Sequence, residues 1–352
     1  MKPQNLIAYC TVLTLLSAHG YAREKTTAPA GAGEARVFNV LSYGAVGDDK
    51  TDNTQAFSAC LKAVIEAGGG RMYLPAGVYR GRIRIPAVGP DHWIALEIVG
   101  ESQPATVFGT VGRFKLHGNN TIVKNLDASG AAVISAVRWP GDFSYVHVVV
   151  KDLEVRTYDD PGIGGIDLEW AVQCRIENVF INTGVYSVQA AKPTHGTKGL
   201  ITAACNNGAL TVLRNVVVTG FDTGIVVNEH TDGDNINLAC NIHGLNFVEA
   251  YHASRFGRVG AQRCTNSLTV TGRHAFTIEQ LDIEHAGPGQ TDRANTWQAT
   301  VNDINDPNNR GVAEVKYWVV LGNVGASEVF TRKGGAAIQA RRIGAGAPSA
   351  RP

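Results

Sequence analysis

Ile176-Glu177-Asn178-Val179-Phe180-Ile181 returns 37 residues later as Leu213-Arg214-Asn215-Val216-Val217-Val218. Each stretch has an aliphatic residue, a polar segment with Asn or Asp, and then aliphatic residues in alternation. The same pattern begins at Val123, Val150, Ile242 and Ile278, so the six starts are separated by 27, 26, 37, 29 and 36 residues. Short strands that recur at such a period, with turns between them, are typical of a solenoid.

A second pattern, Gly followed by an aliphatic residue, begins another strand in several repeats: Gly165-Ile166, Gly199-Leu200 and Gly224-Ile225. The alternation predicts that each strand buries one face. Amphipathic helices are absent from this region, which disfavours a solenoid of strands and helices. The repeats therefore predict an all-β solenoid in which equivalent strands stack about 4.8 Å apart around one apolar column.

The register of the repeats predicts two further columns. Asn125, Asp152, Asn178 and Asn215 take equivalent positions and predict a polar ladder at a turn. Cys174 and Cys240 each precede a repeat start by two residues, which predicts one shared column. Without a C-x-x-C pair, the cysteines are interpreted as small core residues.

One amphipathic helix is predicted before the repeats. Asp52 or Asn53 can cap it, and an apolar stripe follows at helical spacing. Gly68-Gly69-Gly70 ends it. An amphipathic helix at the open end of a solenoid is predicted to cap the core. The stripe comprises Phe57, Cys60, Leu61, Val64 and Ile65.

Composition and the N-terminal segment restrict the class of protein. The chain has 352 residues, 44% hydrophobic and 18% charged, with a formal net charge of +1. This balance gives no reason to expect nucleic acid or an anionic membrane as a partner. Residues 1–22 predict a secretory signal, so the mature protein is expected to be secreted or periplasmic, without a membrane anchor. Residues 23–35 are predicted to be a flexible lead-in, 36–341 a single domain and 342–352 a disordered tail.

The opening of the domain resembles a known superfamily. The stretches that carry the resemblance are Val37-Phe38-Asn39-Val40, Tyr43-Gly44-Ala45-Val46-Gly47-Asp48-Asp49, Thr51-Asp52-Asn53-Thr54-Gln55-Ala56-Phe57 and Gly70-Arg71-Met72-Tyr73-Leu74-Pro75-Ala76-Gly77-Val78-Tyr79. They resemble the pectate-lyase-like superfamily, which includes polygalacturonase-like and rhamnogalacturonase-like hydrolases and phage tailspikes. The resemblance implies a right-handed parallel β-helix and a polysaccharide as substrate. The catalytic motifs of the polygalacturonase-like hydrolases do not occur here in order, so their catalytic residues are not transferred.

Candidate catalytic residues follow instead from strand geometry. In Gly165-Ile166-Asp167-Leu168-Glu169-Trp170, the alternation turns Ile166 and Leu168 inward and places Asp167 and Glu169 on one outer face. Two close carboxylates shift each other's pKa, which suits acid–base work, and Trp170 could stack on a sugar ring. The equivalent strand after Gly224 aligns Asn228 with Glu169, and makes Glu229 and His230 further catalytic candidates.

Other groups give weaker hypotheses. Asp282 and Glu284 form a second carboxylate pair. Asp232 and Asp234 could belong to a calcium-binding turn, although an ordinary turn explains them as well; no other cofactor is predicted. Basic loops contain Lys192, His195 and Lys198, and His252, Arg255 and Arg258. The predicted substrate-binding residues are Tyr158, Trp170, Lys198, His252 and Arg255.

Three functions remain open. The first is a glycoside hydrolase that uses paired carboxylates on an acidic or branched, pectin-like glycan. The second is a polysaccharide lyase or uronate epimerase that uses the basic loops to hold an acidic sugar. The third is a non-catalytic glycan-binding β-helix. The protein is expected to be a monomer or a homotrimer.

Overall fold

The computed structural model describes residues 36–102, 120–126, 132–157, 164–183, 196–204, 210–248, 253–262, 264, 266–270, 274–284, 300–301, 313–321 and 338–342. All of them lie within one compact unit, Ala35–Pro352. The predicted signal and lead-in, and residues 343–352 of the predicted tail, lie outside the described residues; Arg342 ends the last strand.

The described strands form two parallel sheets. The 14-stranded sheet contains β1 Val37–Asn39, β2 Asp48–Asp52, β3 Gly70–Tyr73, β4 Gly77–Arg80, β6 Ile94–Val99, β7 Thr121–Lys124, β9 Val146–Arg156, β11 Val172–Asn182, β13 Thr211–Thr219, β15 Thr231–Ala239, β17 Ala253–Gln262, β19 Ala275–Glu284, β21 Ala313–Leu321 and β22 Ile338–Arg342. The eight-stranded sheet contains β5 Ile83–Ile85, β8 Ile134–Ala136, β10 Ile166–Asp167, β12 Lys198–Ile201, β14 Thr223–Val227, β16 His243–Phe247, β18 Asn266–Val270 and β20 Thr300–Val301.

From β8 to β21 the chain alternates between the two sheets, so each of these coils supplies one strand to each sheet. The chain runs from β12 to β13 and from β14 to β15, and every sheet pairing is parallel between successive coils. Parallel strands joined by crossovers wind in the right-handed sense. The predicted right-handed parallel β-helix is confirmed.

The core is a stack of aliphatic side chains from successive coils. Ile166, Leu200, Ile225, Leu245 and Leu268 are in register along the eight-stranded sheet, and each is at most 1% exposed. Because each strand turns only alternate side chains inward, the intervening residues form an outer face. That outer face is where the candidate site lies.

Four of the long strands, β9, β11, β13 and β15, each have one left-handed Asn or Asp, and these four residues form the polar ladder. Asp152, Asn178, Asn215 and Asn235 have φ of 58°, 53°, 53° and 51°. Asn178 donates to Asp152 (2.9 Å), Asn215 to Asn178 (3.0 Å) and Asn235 to Asn215 (2.8 Å). Asn and Asp tolerate this backbone conformation better than other non-glycine residues, which explains their recurrence at the bend.

Two of the six predicted repeat starts were wrong. Val150, Ile176, Leu213 and Ile278 do share one column of the 14-stranded sheet. Val123 instead lies in β7, which pairs with the second half of β9, so Asn125 is not part of the ladder. The stretch that begins at Ile242 belongs to the eight-stranded sheet, and Gly233 in β15 takes the equivalent place.

The described cysteines are buried, as predicted for core residues: Cys60, Cys174, Cys240 and Cys264. Burial raises the pKa of the Cys60 and Cys264 thiols to about 12. The shared column for Cys174 and Cys240 was wrong, because Cys174 lies within β11 whereas Cys240 follows β15.

Glycine begins the strands of the eight-stranded sheet because the chain turns there against the core. A Cβ at Gly165 would overlap the side chain of Ile181, and one at Gly199 would overlap Val218. The Gly-aliphatic pattern therefore marks close packing between the two sheets.

The predicted helix forms as α1, Thr54–Glu66. Asn53 is the N-cap residue, but the side chain of Asp52 accepts the bond from Thr54 N (2.9 Å). Phe57, Cys60, Leu61 and Val64 are fully buried. The role of α1 as a cap of the solenoid stays a prediction. Within the described part of the chain, no helix has the length and apolarity to cross a membrane.

Candidate functional site

The outer face of the eight-stranded sheet carries a row of polar side chains on its first three strands. Arg84 of β5 pairs in register with Ser135 of β8, and Ser135 pairs with Asp167 of β10. Their inward neighbours on the same strands are buried. Arg84 is exposed, and Ser135 and Asp167 are half-buried. We call this row the Asp167 groove, together with Arg138, Glu169 and Trp170 at the ends of the strands and Lys198 at the start of the next strand.

Asp167 has the properties of a proton-transfer group. Burial raises the pKa of its carboxyl, and the hydrogen bond from Glu169 N and the positive charge of Lys198 oppose that shift only in part. Its Oδ1 accepts the Glu169 N–H at 3.0 Å. A carboxyl that keeps its proton to a higher pH than usual suits a general acid.

Glu169 stays beside Asp167, but not on the same strand. Leu168 is buried, as predicted, yet β10 ends at Asp167 and Glu169 lies in the turn that follows. The Asp167 side chain itself stabilises this turn through the bond to Glu169 N. The predicted regular strand through Glu169 was therefore wrong, while both carboxyl groups are half-buried at the same strand end.

Three cations lie along the same groove: Arg84 two strands before Asp167, Arg138 against Trp170 and Lys198 at the start of the next strand. Arg84, Arg138 and Lys198 are exposed. Within the described part of the chain, no ion pair joins any of the three to a carboxylate. Lys198 and Arg138 act on the Asp167 and Asp142 carboxyls through their charge without forming ion pairs, so the groove presents exposed positive charge to a ligand.

Trp170 lies beside the carboxylates and is held by its neighbours. The Arg138 guanidinium lies 4.4 Å from the centre of the Trp170 ring, a cation–π geometry. Phe143 packs against the same indole, with ring centroids 6.3 Å apart, and Ser144 N donates to Trp170 O at 2.8 Å. The indole is half-buried, and the stacking of a sugar ring on it stays a prediction.

Glu229 and His230 occupy a different environment from the one predicted. Asn228 is 4% and Glu229 2% exposed, because the neighbouring coil covers them: Asn228 Nδ2 donates to Thr202 O (2.7 Å). The outward orientation predicted for Asn228 was wrong. His230 is exposed, and its Nδ1 lies 2.8 Å from the Ala253 carbonyl oxygen. This burial gives Glu229 no access to a polymer.

The predicted substrate-binding residues do not all come together. Lys198 begins β12, and its charge acts on Asp167. Arg255 lies in β17 on the other sheet, where its guanidinium binds Glu279, so the prediction that Arg255 and Arg258 lie in a loop was wrong. Tyr158 and His252, and also Lys192 and His195, lie outside the described residues.

The carboxylates considered for calcium, and Asp282 of the second carboxylate pair, are engaged within the 14-stranded sheet; the side chain of Glu284 lies outside the described part. Asp232 Oδ2 accepts from Arg214 Nη2 (3.1 Å), and Asp234 Oδ1 accepts from Asn235 N (3.0 Å). Both lie in β15, so the predicted turn was wrong, and these contacts give a calcium site no support. Asp282 likewise binds Arg258 (2.9 Å). Among the described residues, no three His, Cys, Asp or Glu side chains come together as metal ligands would.

Arg84, Ser135 and Arg138 were missed from the sequence. The alternation Ile83-Arg84-Ile85 and Ile134-Ser135-Ala136 matches Ile166-Asp167-Leu168, and that match could have identified the first two. Arg138 carries no such signal, because it follows β8 in an irregular segment.

Comparisons with known proteins identify relatives of this chain. A family model described as rhamnogalacturonase A/epimerase, pectate lyase-like, matches residues 37–312. Alginate lyase 7 of Azotobacter vinelandii is 54% identical over 43 residues, which is 12% of this chain and 5% of that protein. Mannuronan C5-epimerase AlgE3 of the same organism is 51% identical over 47 residues, which is 13% of this chain and 3% of that protein. The A-module of mannuronan C-5 epimerase AlgE4 is similar in structure, with 13% identity and a TM-score of 0.40, covering 88% of this chain and 100% of that one.

Proposed function

The chain belongs to the rhamnogalacturonase A/epimerase family of pectate-lyase-like proteins, and we propose that it is a secreted enzyme that acts on an acidic polysaccharide in the Asp167 groove. One observation carries this proposal: three exposed cations that form no ion pair among the described residues lie along the same groove as a half-buried carboxyl of raised pKa. Unneutralised positive charge beside a proton-transfer group fits the negative charge of a uronate polymer. The family supports a polysaccharide as substrate.

Hydrolysis is the reaction that the two carboxyl groups support best. Asp167, whose pKa is raised by burial, donates a proton to the glycosidic oxygen as the bond to the leaving sugar breaks. Glu169 is the second carboxylate. It either attacks the anomeric carbon or removes a proton from the attacking water, and the separation of the two carboxyl groups decides which.

Trp170 and Arg138 orient the substrate in this reaction. The indole offers an apolar surface for the C–H face of a pyranose ring. Arg138, placed over that indole, can bind a uronate carboxylate next to the stacked ring. Stacking and charge together hold the sugar beside Asp167 and Glu169.

Elimination or epimerisation at C5 of a uronate is the second candidate, and the same cations favour it. Removing the C5 proton requires a base, and a positive charge that neutralises the sugar carboxylate. Lys198, whose charge acts on Asp167, and Arg84 could supply that charge, with Asp167 in its ionised form as the base. The short matches to an alginate lyase and to mannuronan C5-epimerases agree with this alternative.

A single assay panel separates these reactions. The mature protein is incubated with polygalacturonate, rhamnogalacturonan, alginate and a neutral glucan, and reducing ends, ultraviolet absorbance and proton NMR are followed together. Reducing ends without absorbance indicate hydrolysis, both together indicate elimination, and a changed sugar configuration without new ends indicates epimerisation. Turnover of the neutral glucan alone would contradict the proposal. Binding without turnover on every acidic polymer would identify a non-catalytic glycan-binding protein.

A further inference from the structure

Two exposed tryptophans lie outside the groove described above. Among the described residues, Trp93 is 63% and Trp139 is 36% exposed, and they are the two aromatic members of the exposed large hydrophobic side chains. Single exposed aliphatic residues are common on protein surfaces, but neighbouring exposed indoles are a feature of binding sites. Their position relative to the groove shows what they could bind.

Three successive coils each contribute one tryptophan to the same edge of the β-helix. Trp93 lies between β5 and β6, Trp139 between β8 and β9, and Trp170 between β10 and β11. Each therefore follows a strand of the eight-stranded sheet and precedes one of the 14-stranded sheet. Successive coils are about 4.8 Å apart, and one pyranose unit advances a glycan chain by a comparable length.

Contacts with one intervening segment link the three tryptophans. Trp93 packs edge-on against Tyr145, with ring centroids 5.2 Å apart. Phe143 packs on Trp170, and Arg138, the residue before Trp139, lies over the same Trp170 ring. The segment from Arg138 to Tyr145 thus connects all three indoles.

The fold holds this surface rigid. Trp139-Pro140-Gly141-Asp142 is a tight turn in which Asp142 N donates to Trp139 O (3.0 Å) and Gly141 has a φ of +84°. Asp142 also accepts from Tyr145 Oη (2.7 Å). The Trp139 ring lies against the backbone of Gly89, where an added Cβ would be 2.9 Å from two ring atoms. A rigid indole loses little conformational entropy when a ligand stacks on it.

We infer that Trp93 and Trp139 form a stacking surface for pyranose rings of the same glycan chain whose reacting unit lies in the Asp167 groove. This inference rests on the proposed function and extends it. The polymer runs along the axis of the β-helix and continues past the reacting sugar toward the N-terminal coils. Long oligosaccharides therefore gain contacts that a dimer cannot make.

The test measures binding separately from turnover. Isothermal titration of oligogalacturonates and oligomannuronates, from dimer to octamer, is carried out on the full chain with Asp167→Asn, so that the ligand is not consumed. Trp93→Ala and Trp139→Ala are each expected to weaken octamer binding by about three- to tenfold and to leave dimer binding unchanged. Gly89→Ala keeps the Trp139 indole but displaces it, and should weaken octamer binding in the same direction. Val37→Ala, which removes an exposed apolar side chain on β1, is the control.

Each outcome supports or overturns the stacking surface whether or not the protein turns over an acidic polymer. Octamer binding that none of the three substitutions weakens overturns it, even if the enzyme turns over uronates. Tryptophan-dependent binding of long oligosaccharides supports it, even if no acidic polymer is turned over and the proposed function fails. Absence of binding to every oligosaccharide overturns both. Thermal unfolding of each variant shows whether an affinity loss is local.

Discussion

On the outer face of the 14-stranded sheet, arginines form ion pairs with carboxylates of the next strand, whereas on the eight-stranded sheet Arg84 and Lys198 form none among the described residues. Arg71 binds Glu97 (2.8 Å), Arg214 binds Asp232 (3.1 Å) and Arg258 binds Asp282 (2.9 Å). These paired charges join neighbouring coils, and because they neutralise each other they attract a charged ligand only weakly. Cations that the described fold leaves unpaired, beside a half-buried carboxyl, indicate a face for an anionic polymer.

The carboxylates of the two faces should differ most in their effect on turnover. Asp167→Asn removes the proposed acid and is expected to lower the initial rate by about 10²–10⁴-fold. Asp282→Asn removes a carboxylate that binds Arg258 on the other sheet, and should leave the rate close to that of the wild type. Rates on the acidic polymer identified by the panel, with circular dichroism to confirm folding, check this pair. Equal losses in both variants would show that the contrast between the faces has no catalytic meaning.

The fold was predictable from residues that act locally, and the site only in part. Asp152, Asn178 and Asn215 were predicted to share a column because Asn or Asp is required at each bend. Asn235 was missed, because its neighbours Asp232 and Asp234 resemble those of a turn. Asp167 was predictable, since alternation alone sets its orientation. The burial of Glu229 was not predictable, because it depends on contacts with the neighbouring coil. The coils differ in length, so the sequence does not show which residues meet.

The cations of the two faces should differ next, in substrate affinity. Arg84→Ala and Lys198→Ala are each expected to raise KM on the acidic polymer by on the order of tenfold. Added salt screens these charges, so it should reduce the difference in KM between each variant and the wild type. Arg214→Ala breaks contacts to Asp232 and should leave KM unchanged while lowering the free energy of unfolding by about 1 kcal/mol. Steady-state kinetics at two ionic strengths and urea unfolding measure both effects. If Arg214→Ala raised KM as much as Arg84→Ala does, the polymer would not be confined to the eight-stranded sheet.

The smallest expected effect is the pH dependence of stability, and its sign separates Asp167 from nearby Asp142. Burial raises the pKa of Asp167, so its contribution to folding is complete below the unfolded value of 3.8 and is lost as the pH rises through the folded pKa. The hydrogen bond from Tyr145 lowers the pKa of Asp142, so its contribution is present above 3.8 and is lost as the pH falls. Relative to the wild type, Asp167→Asn should therefore gain stability as the pH rises from acid, whereas Asp142→Asn should gain it as the pH falls. Urea unfolding of the three proteins across the acid range measures these slopes. Slopes of the same sign would mean that Asp167 is as well solvated as a surface carboxylate, and the argument for it as the proton donor would then fail.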